Sequence, residues 1–399
     1  MKILLLSSLY PPLGRGGAEK AASLLAEALV KVGHEVVVLS FQPGNEASIE
    51  HWNGVRVHRI PMDNVYWPFG RVEKEHPLTR LLWHTIDIWN WRSAGRVGRI
   101  LDLEKPDVVH SHVIAGFSVA AWHEVRKRKI RLVHTLHDYY MLCVRSSLFR
   151  DGRVCESRCG TCTVMTKVRQ AASHHIDEVV SVSQFVLNRH QGSGYFRHVP
   201  SSVIFNVMDA ASPGSTERIP AASDPVVFGF IGKLEEPKGI EVVLAATRHL
   251  QHSDWCLKIA GTGLSQYVAQ LKASFPDPRI QWLGFIESPE FYRSIDVAIV
   301  PSIWHDPLPY VTIEALFAGK RLICSQSGGI PEIAVLGKTV QLFPAGDAKA
   351  LAMRMEHAIK THSTAEEGGF QSTEQKGLFF EETVAHQYLA VYSSQQNRV

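Results

Sequence analysis

The 399-residue chain has no run approaching the roughly 18 consecutive apolar residues of a membrane-spanning helix, although 45% of its residues are hydrophobic. It also lacks a recognisable export signal. Met1–Leu9 carries one lysine and a short apolar stretch, then meets Pro11, Pro12 and a glycine loop with no cleavage-like site. That stretch reads as a first buried strand, and a cytoplasmic location, at most peripheral to a membrane, is expected. One-sided charge is missing as well: the formal net charge is +3. The densest basic run, Arg126-Lys127-Arg128-Lys129 with Arg131, reads as the solvated end of a helix, so no nucleic-acid partner is expected. Cysteine is scarce at six residues. Four of them, Cys143, Cys155, Cys159 and Cys162, nevertheless cluster in one loop-like segment. Without an export signal this clustering points to a structural zinc site before disulfides. The spacing is not a pair of close doublets, so reduced, unrelated thiols are the other reading. Cys256 and Cys324 lie in strand patterns and read as core.

What is present is a repeated alternation of short apolar runs and helical stripes. Strands are expected at Ile3–Ser7, Glu35–Ser40, Val55–Ile60, Val108–Ser111, Arg131–Leu136 and Glu178–Val182. Between the first two, Ala18, Ala21, Ala22, Leu25, Ala28, Leu29 and Val32 form one helical stripe. Strand–helix alternation predicts parallel sheets covered on both faces by helices. Residues 206–224 break the pattern with Ala, Ser and Pro and read as a linker. The pattern restarts at Val226–Ile231 and continues through Cys256–Ala260, Ile280–Leu283, Val297–Val300 and Arg321–Cys324. An α/β chain of two Rossmann-like domains follows, over 1–205 and 206–378, with a helix at 379–393 able to pack back onto the first. Charge is uneven between them: residues 1–200 hold 26 Lys and Arg against 18 Asp and Glu. Trp83, Trp89 and Trp91 precede Arg92, Arg96 and Arg99, a pairing that suits either ordinary helix packing or a membrane interface.

Both halves begin with a strand, a glycine loop and a helix. Gly14, Gly16 and Gly17 allow close backbone approach and leave helix N–H groups for phosphate. Glu19 replaces the third glycine of a dinucleotide fingerprint, and no acid ends the second strand, which disfavours NAD. In the second half, Lys233 and Lys238 bracket a turn at a helix start and can neutralise a diphosphate as point charges. Farther on, Asp306 lies in a loop and Glu314 in the following helix, a pair suited to two sets of vicinal hydroxyls. Each feature alone has an ordinary structural reading.

Taken together, these segments resemble the group 1 glycosyltransferases, a retaining family with the two-domain GT-B fold facing a central cleft. The matching segments are Gly16-Gly17-Ala18-Glu19; Gly33-His34-Glu35-Val36; Lys105-Pro106-Asp107-Val108-Val109-His110-Ser111-His112; His137-Asp138; Val182-Ser183; Gly232-Lys233 with Lys238-Gly239; Gly261-Thr262-Gly263; Asp306 to Glu314; and Gly328-Gly329-Ile330-Pro331-Glu332. They run in family order along essentially the whole chain.

The resemblance implies that Lys233 and Lys238 bind the donor diphosphate. Glu314 would hold ribose hydroxyls and Asp306 donor-sugar hydroxyls, with Gly328 and Gly329 in the same donor-binding set. Gly16 and Gly17 would approach phosphate or sugar from the other domain, and His137 would face the donor sugar near the reacting carbon. Asp138 is a candidate for positioning the acceptor. Two positions depart from the family pattern: Lys233 stands where arginine is usual, and Asp306 where glutamate is usual. The implied reaction moves a sugar from a nucleotide diphosphate donor to a glycan, lipid-linked or small-molecule acceptor. It requires no cofactor for its chemistry, since the lysines and helix amides serve the leaving group. Two other readings are a GT-B nucleotide-sugar epimerase, which needs an acid/base pair not located here, and a weakly catalytic sugar-nucleotide-binding partner subunit.

Overall fold

The computed structural model describes residues 1–14, 16–70, 75–208, 224–364 and 366–394. Residues 209–223 of the expected linker, and Arg15 of the first glycine loop, lie outside the described residues. The chain forms two units. One comprises Met1–Leu148, Glu156–Asp209 and Leu378–Val399; the other comprises Phe149–Cys155 and Ala210–Gly377.

The first unit is built on β1 (Lys2–Leu6), β2 (Glu35–Gln42), β3 (Ser48–Trp52), β4 (Val55–Pro61), β5 (Val108–Ser111), β6 (Arg131–Leu136), β9 (Glu178–Ser181) and β10 (Ser201–Val203). The two-residue strands β7 (Phe149–Arg150) and β8 (Arg153–Val154) pair separately as a hairpin. The large sheet runs β10-β9-β6-β5-β1-β2-β4-β3. Only β3 is antiparallel, against β4. β1 is central, with Leu5 opposite Val38 on one side and His110 on the other. Ile3 to Leu6 are fully buried, as an unbroken apolar run in a doubly covered parallel sheet requires. Each such side chain contributes about 1.5–3 kcal/mol by leaving water.

Helix Gly17–Lys31 presents Ala21, Ala22, Leu25, Ala28 and Leu29 to the core, at the spacing of one helical face. The last helix, Glu381–Ser393, adds Val384, Ala385, Tyr388, Val391 and Tyr392 to the same cluster. Lys31 at the end of the first of these helices pairs with Glu381 at the start of the other.

The second unit carries β11 (Val226–Ile231), β12 (Trp255–Ala260), β13 (Ile280–Gly284), β14 (Val297–Val300), β15 (Arg321–Ser325) and β16 (Val340–Phe343). They form a wholly parallel sheet in the order β13-β12-β11-β14-β15-β16. Phe228, Phe230, Leu257, Ile259, Val297, Ile299 and Ile323 meet Val243, Leu244 and Met355 in its core.

Both sheets are doubly wound, and in each the winding reverses beside the first strand: between β1 and β5, and between β11 and β14. Loops leaving the carboxyl ends of strands flanking such a reversal splay apart and leave a place for ligands. Gly16 and Gly17 follow β1, Lys233 and Lys238 follow β11, Asp306 follows β14 with Glu314 in the next helix, Gly328 and Gly329 follow β15, and His137 and Asp138 follow β6.

Candidate active site

In the second unit, the loops after β11 and β14 are packed together by glycine. Gly239 has φ +76°, and a Cβ there would lie 2.0 Å from the Pro301 carbonyl oxygen. The backbone N–H of Ile303 donates to the Pro237 carbonyl at 3.0 Å. This close approach brings Lys238 to Asp306, with Nζ 2.6 Å from Oδ2. The same carboxylate oxygen accepts from Trp304 Nε1 at 3.2 Å and from Ser302 Oγ at 3.4 Å. Lys238 Nζ also lies 5.3 Å from the centre of the Trp304 ring. Asp306 is buried, and a buried carboxylate needs such partners.

Gly328 and Gly329 hold the Asp306 backbone. The Gly329 N–H donates to the Asp306 carbonyl at 2.9 Å. Gly328 has φ +59°, and a Cβ there would sit 2.1 Å from that carbonyl oxygen. Glu314, inside helix Tyr310–Phe317, is also buried and accepts from Ser288 Oγ at 3.1 Å. Lys233 is exposed on the turn leaving β11. These elements thus offer one exposed cation, one cation shared with a carboxylate, and a second buried carboxylate on a helix.

In the first unit, Gly16 caps helix Gly17–Lys31 with extended backbone. A Cβ at Gly16 would fall 2.2 Å from Glu19 Oε2, so the side chain of Glu19 fills the space that other residues would need. Past β6, His137 Nε2 lies 2.8 Å from His112 Nδ1. Burial holds His137 down to about 4, so its ring is neutral at pH 7. Asp138 Oδ1 accepts the Tyr140 N–H at 2.8 Å, while burial raises its carboxyl to about 6.

Two family models cover these units: "Glycosyl transferase 4-like domain" over residues 16–204 and "Glycosyl transferases group 1" over residues 215–369. A protein from Klebsiella pneumoniae, described as an uncharacterized 42.6 kDa protein in a cps region, is 30% identical over 333 residues, spanning 84% of this chain and 87% of its own. The chain belongs to the group 1 glycosyltransferases.

Among solved structures, this glycosyltransferase resembles sucrose-phosphate synthase from Thermosynechococcus elongatus, with TM-score 0.75 and 20% identity over 98% of both chains. It also resembles Anabaena Alr3699/HepE in complex with UDP and glucose, with TM-score 0.71 and 18% identity over 99% of this chain and 100% of the other. The fold is GT-B, and the glycosyltransferase is an enzyme of nucleotide-sugar transfer.

The structure adds residues that sequence reasoning missed. Arg59 on β4 is buried and donates to the carbonyls of Tyr10 and Pro11, fixing the loop after β1 from below. Asp87 accepts from Arg169 Nη2 at 3.0 Å, from the Tyr140 hydroxyl at 2.8 Å and from the Gly116 N–H at 2.6 Å. The Arg169 guanidinium also lies 3.6 Å from the centre of the Tyr140 ring. This network anchors the segment that carries His137 and Asp138. Its only sequence signal was a charged residue in an apolar stretch, which names no partner.

The cysteines divide. Cys143 and Cys162 are buried with a thiol contact that pulls Cys143 below its usual range, while Cys159 is exposed at the start of a six-residue helix. Cys155 lies at the end of the segment that groups with the second unit. Among the described residues, no group of three or more His, Cys, Asp or Glu side chains is gathered so as to hold a metal ion. Cys159 nevertheless makes a thiol contact with Cys162 as well, so Cys143, Cys159 and Cys162 adjoin one another, and structural zinc at the four cysteines stands as a proposal. Of the three tryptophans, Trp83 is buried and donates to the Tyr66 carbonyl, whereas Trp91 is 74% exposed. Among the described residues, no helix is long and apolar enough to cross a membrane.

Proposed function

We propose that the enzyme is a retaining hexosyltransferase that takes a uridine diphosphate sugar and glycosylates a lipid-linked saccharide at the cytoplasmic face of a membrane. The observation that carries the donor half is the arrangement of Lys238, Asp306 and Glu314 at the winding reversal of the second unit. Glu314 holds the ribose hydroxyls, Asp306 holds hydroxyls of the transferred sugar, and Lys233 with Lys238 draws the diphosphate. Anabaena Alr3699/HepE, a structural neighbour solved with UDP and glucose, supports uridine as the base.

In the transfer, the bond from the anomeric carbon to the diphosphate oxygen breaks with its electron pair leaving on the diphosphate. The lysines and helix N–H groups stabilise that charge as it forms. The acceptor hydroxyl oxygen attacks from the same face, and its proton passes to the departing phosphate oxygen. Configuration is retained without a separate protein base. A charge-assisted hydrogen bond of this kind is worth about 1.5–3 kcal/mol.

The acceptor half rests on the first unit's surface. Helix Pro77–Ile86 exposes Leu78, Leu81 and Leu82 at 69%, 55% and 50%, on one helical face. Exposed Trp91, Arg92 and Arg99 follow on helix Trp91–Glu104. An apolar stripe flanked by aromatic and cationic residues fits the boundary of an anionic bilayer, where a lipid-linked acceptor is held.

Calorimetry with UDP, GDP, ADP and UDP-glucose tests the donor. Selective binding of UDP and its sugar, lost in Glu314→Ala, is the expected result. Folded protein that binds none of the four nucleotides would overturn the assignment.

A further inference from the structure

His112 follows β5 directly and is buried to 3% exposure. Its Nδ1 lies 2.8 Å from His137 Nε2, so one hydrogen must sit between them. Its other nitrogen, Nε2, is buried and, among the described residues, has no protein group in hydrogen-bond reach. The cavity lined by His112, His134, His137 and Asp138 measures about 10 Å³. That is at the lower limit of the roughly 10–15 Å³ one water needs.

These facts favour one arrangement of the protons. A buried N–H without an acceptor is rarer in proteins than an under-satisfied acceptor. His112 therefore keeps Nε2 bare and carries its proton on Nδ1, which donates to His137 Nε2. With that nitrogen occupied as an acceptor, the neutral His137 ring carries its own proton on Nδ1.

The surroundings hold His112 in place. The His110 ring centre is 4.0 Å from that of His112. His110 is itself pinned at both nitrogens, 2.7 Å from the Tyr392 hydroxyl and 2.7 Å from Thr135 Oγ1. Thr135 Oγ1 lies 3.1 Å from the Tyr388 hydroxyl. The last helix thus buttresses the histidine pair from beneath the sheet.

We infer that His112 is a positioning residue that fixes His137 as the Nδ1–H tautomer, making His137 a neutral hydrogen-bond donor to the transferred sugar and not a proton acceptor. This rests on the reading of His137 as the residue that meets the donor sugar. It explains how a histidine can serve a transfer whose proton goes to the leaving phosphate. A donor whose proton is already committed cannot compete with the phosphate for the acceptor's proton.

The test uses full-length protein labelled with ¹⁵N at histidine, the His137 signals being assigned by their loss in His137→Gln. The expected pattern is a protonated Nδ1 and a bare Nε2 at His137. In His112→Leu, which cannot donate, the two His137 tautomers should interconvert and kcat fall roughly 10- to 100-fold, the usual scale for loss of an orienting partner. KM for the donor should stay within about threefold, since the buried His112 is assigned a role through His137 and not on the substrate itself. His112→Asn, whose amide nitrogen replaces Nδ1, should restore the tautomer and most of kcat. Wild-type His137 protonated on Nε2, or His112→Leu with an unchanged tautomer and unchanged kcat, overturns the inference. If the leucine variant does not fold, the wild-type tautomer and the asparagine variant still decide it. The labelling needs no substrate, so a protein that turns over no nucleotide sugar defeats the functional reading and leaves this readout intact.

Discussion

Lys238 Nζ rests 2.6 Å from Asp306 Oδ2, so the cation proposed for the donor diphosphate and the carboxylate proposed for the donor sugar are paired with each other. The pair keeps both groups aligned and saves the buried carboxylate from an uncompensated charge. Under the proposed donor binding, a diphosphate beside Lys238 would compete for it and release Asp306 toward the sugar hydroxyls. Removing either member therefore has different consequences.

Lys238→Ala is expected to weaken UDP binding by about 1.5–3 kcal/mol, and also to lower the unfolding midpoint because Asp306 stays buried without its cation. Lys238→Arg should retain most of both. Asp306→Asn removes the competitor, so UDP affinity should hold or rise while UDP-sugar affinity and kcat fall. Calorimetry with UDP and UDP-glucose on the three variants, with thermal unfolding alongside, separates these effects. Equal losses for UDP and UDP-sugar in Asp306→Asn would remove Asp306 from the sugar.

Much of this site was legible from residue order. Glu314, Asp306, Lys233, Lys238 and the paired glycines lie in short segments whose sequence carries the strand–loop–helix signal. Their pairing was not legible. It depends on the approach of Gly239 to Pro301, a contact between loops that only the sheet order brings together. The edge strands β3, β10 and β16 also escaped, since they are short and partly exposed and lack an unbroken apolar run. Arg59, Asp87 and Arg169 escaped for another reason: burial turns isolated charges into anchors, and burial is a tertiary property. The exposure that separates Trp91 from Trp83 is likewise invisible in their spacing.

Glu314 is buried and held by Ser288 Oγ at 3.1 Å, which fixes the carboxylate before any ligand arrives. Glu314→Gln keeps the shape and loses the charge. Its UDP affinity is expected to drop by about 1.5–3 kcal/mol, roughly 10- to 150-fold in Kd, as for a lost charge-assisted pair. Ser288→Ala should cost about 1 kcal/mol or less, since the carboxylate survives. Calorimetric affinities for UDP and for its 2′-deoxy analogue check the contact. The glutamine variant should no longer distinguish the two.

Leu78, Leu81 and Leu82 should decide membrane attachment. Replacing all three by glutamine is expected to reduce co-sedimentation with vesicles containing anionic phospholipid by about tenfold or more, the scale of three lost apolar anchors. Attachment of the wild type should weaken with added salt if Arg92 and Arg99 contribute. Unchanged sedimentation of the triple variant would remove this helix from the membrane contact. Activity on a water-soluble acceptor should be unaffected, because the stripe faces away from the protein core.

The histidines should dominate the response of stability to acid. Burial holds His134 down to about 3, His84, His137 and His190 to about 4, and His110 and His112 well below their usual value. Unfolded, each takes up a proton near pH 6.5. The unfolded state then binds more protons as the pH falls through 6.5, so stability is lost between about pH 7 and 4. Asp87 and Asp138 act in the opposite sense. Burial raises both to about 6, so each favours the fold while protonated and loses that advantage as pH rises from about 4 to 6. Six rings outweigh two carboxyls, and urea midpoints should fall from pH 7.5 to pH 5. Asp138→Asn isolates the opposing contribution. Relative to wild type, its stability should gain about 2–3 kcal/mol between pH 4 and pH 7.5, from roughly two pKa units at about 1.4 kcal/mol each. A gap that does not change with pH would mean that Asp138 ionises in the fold as it does in water.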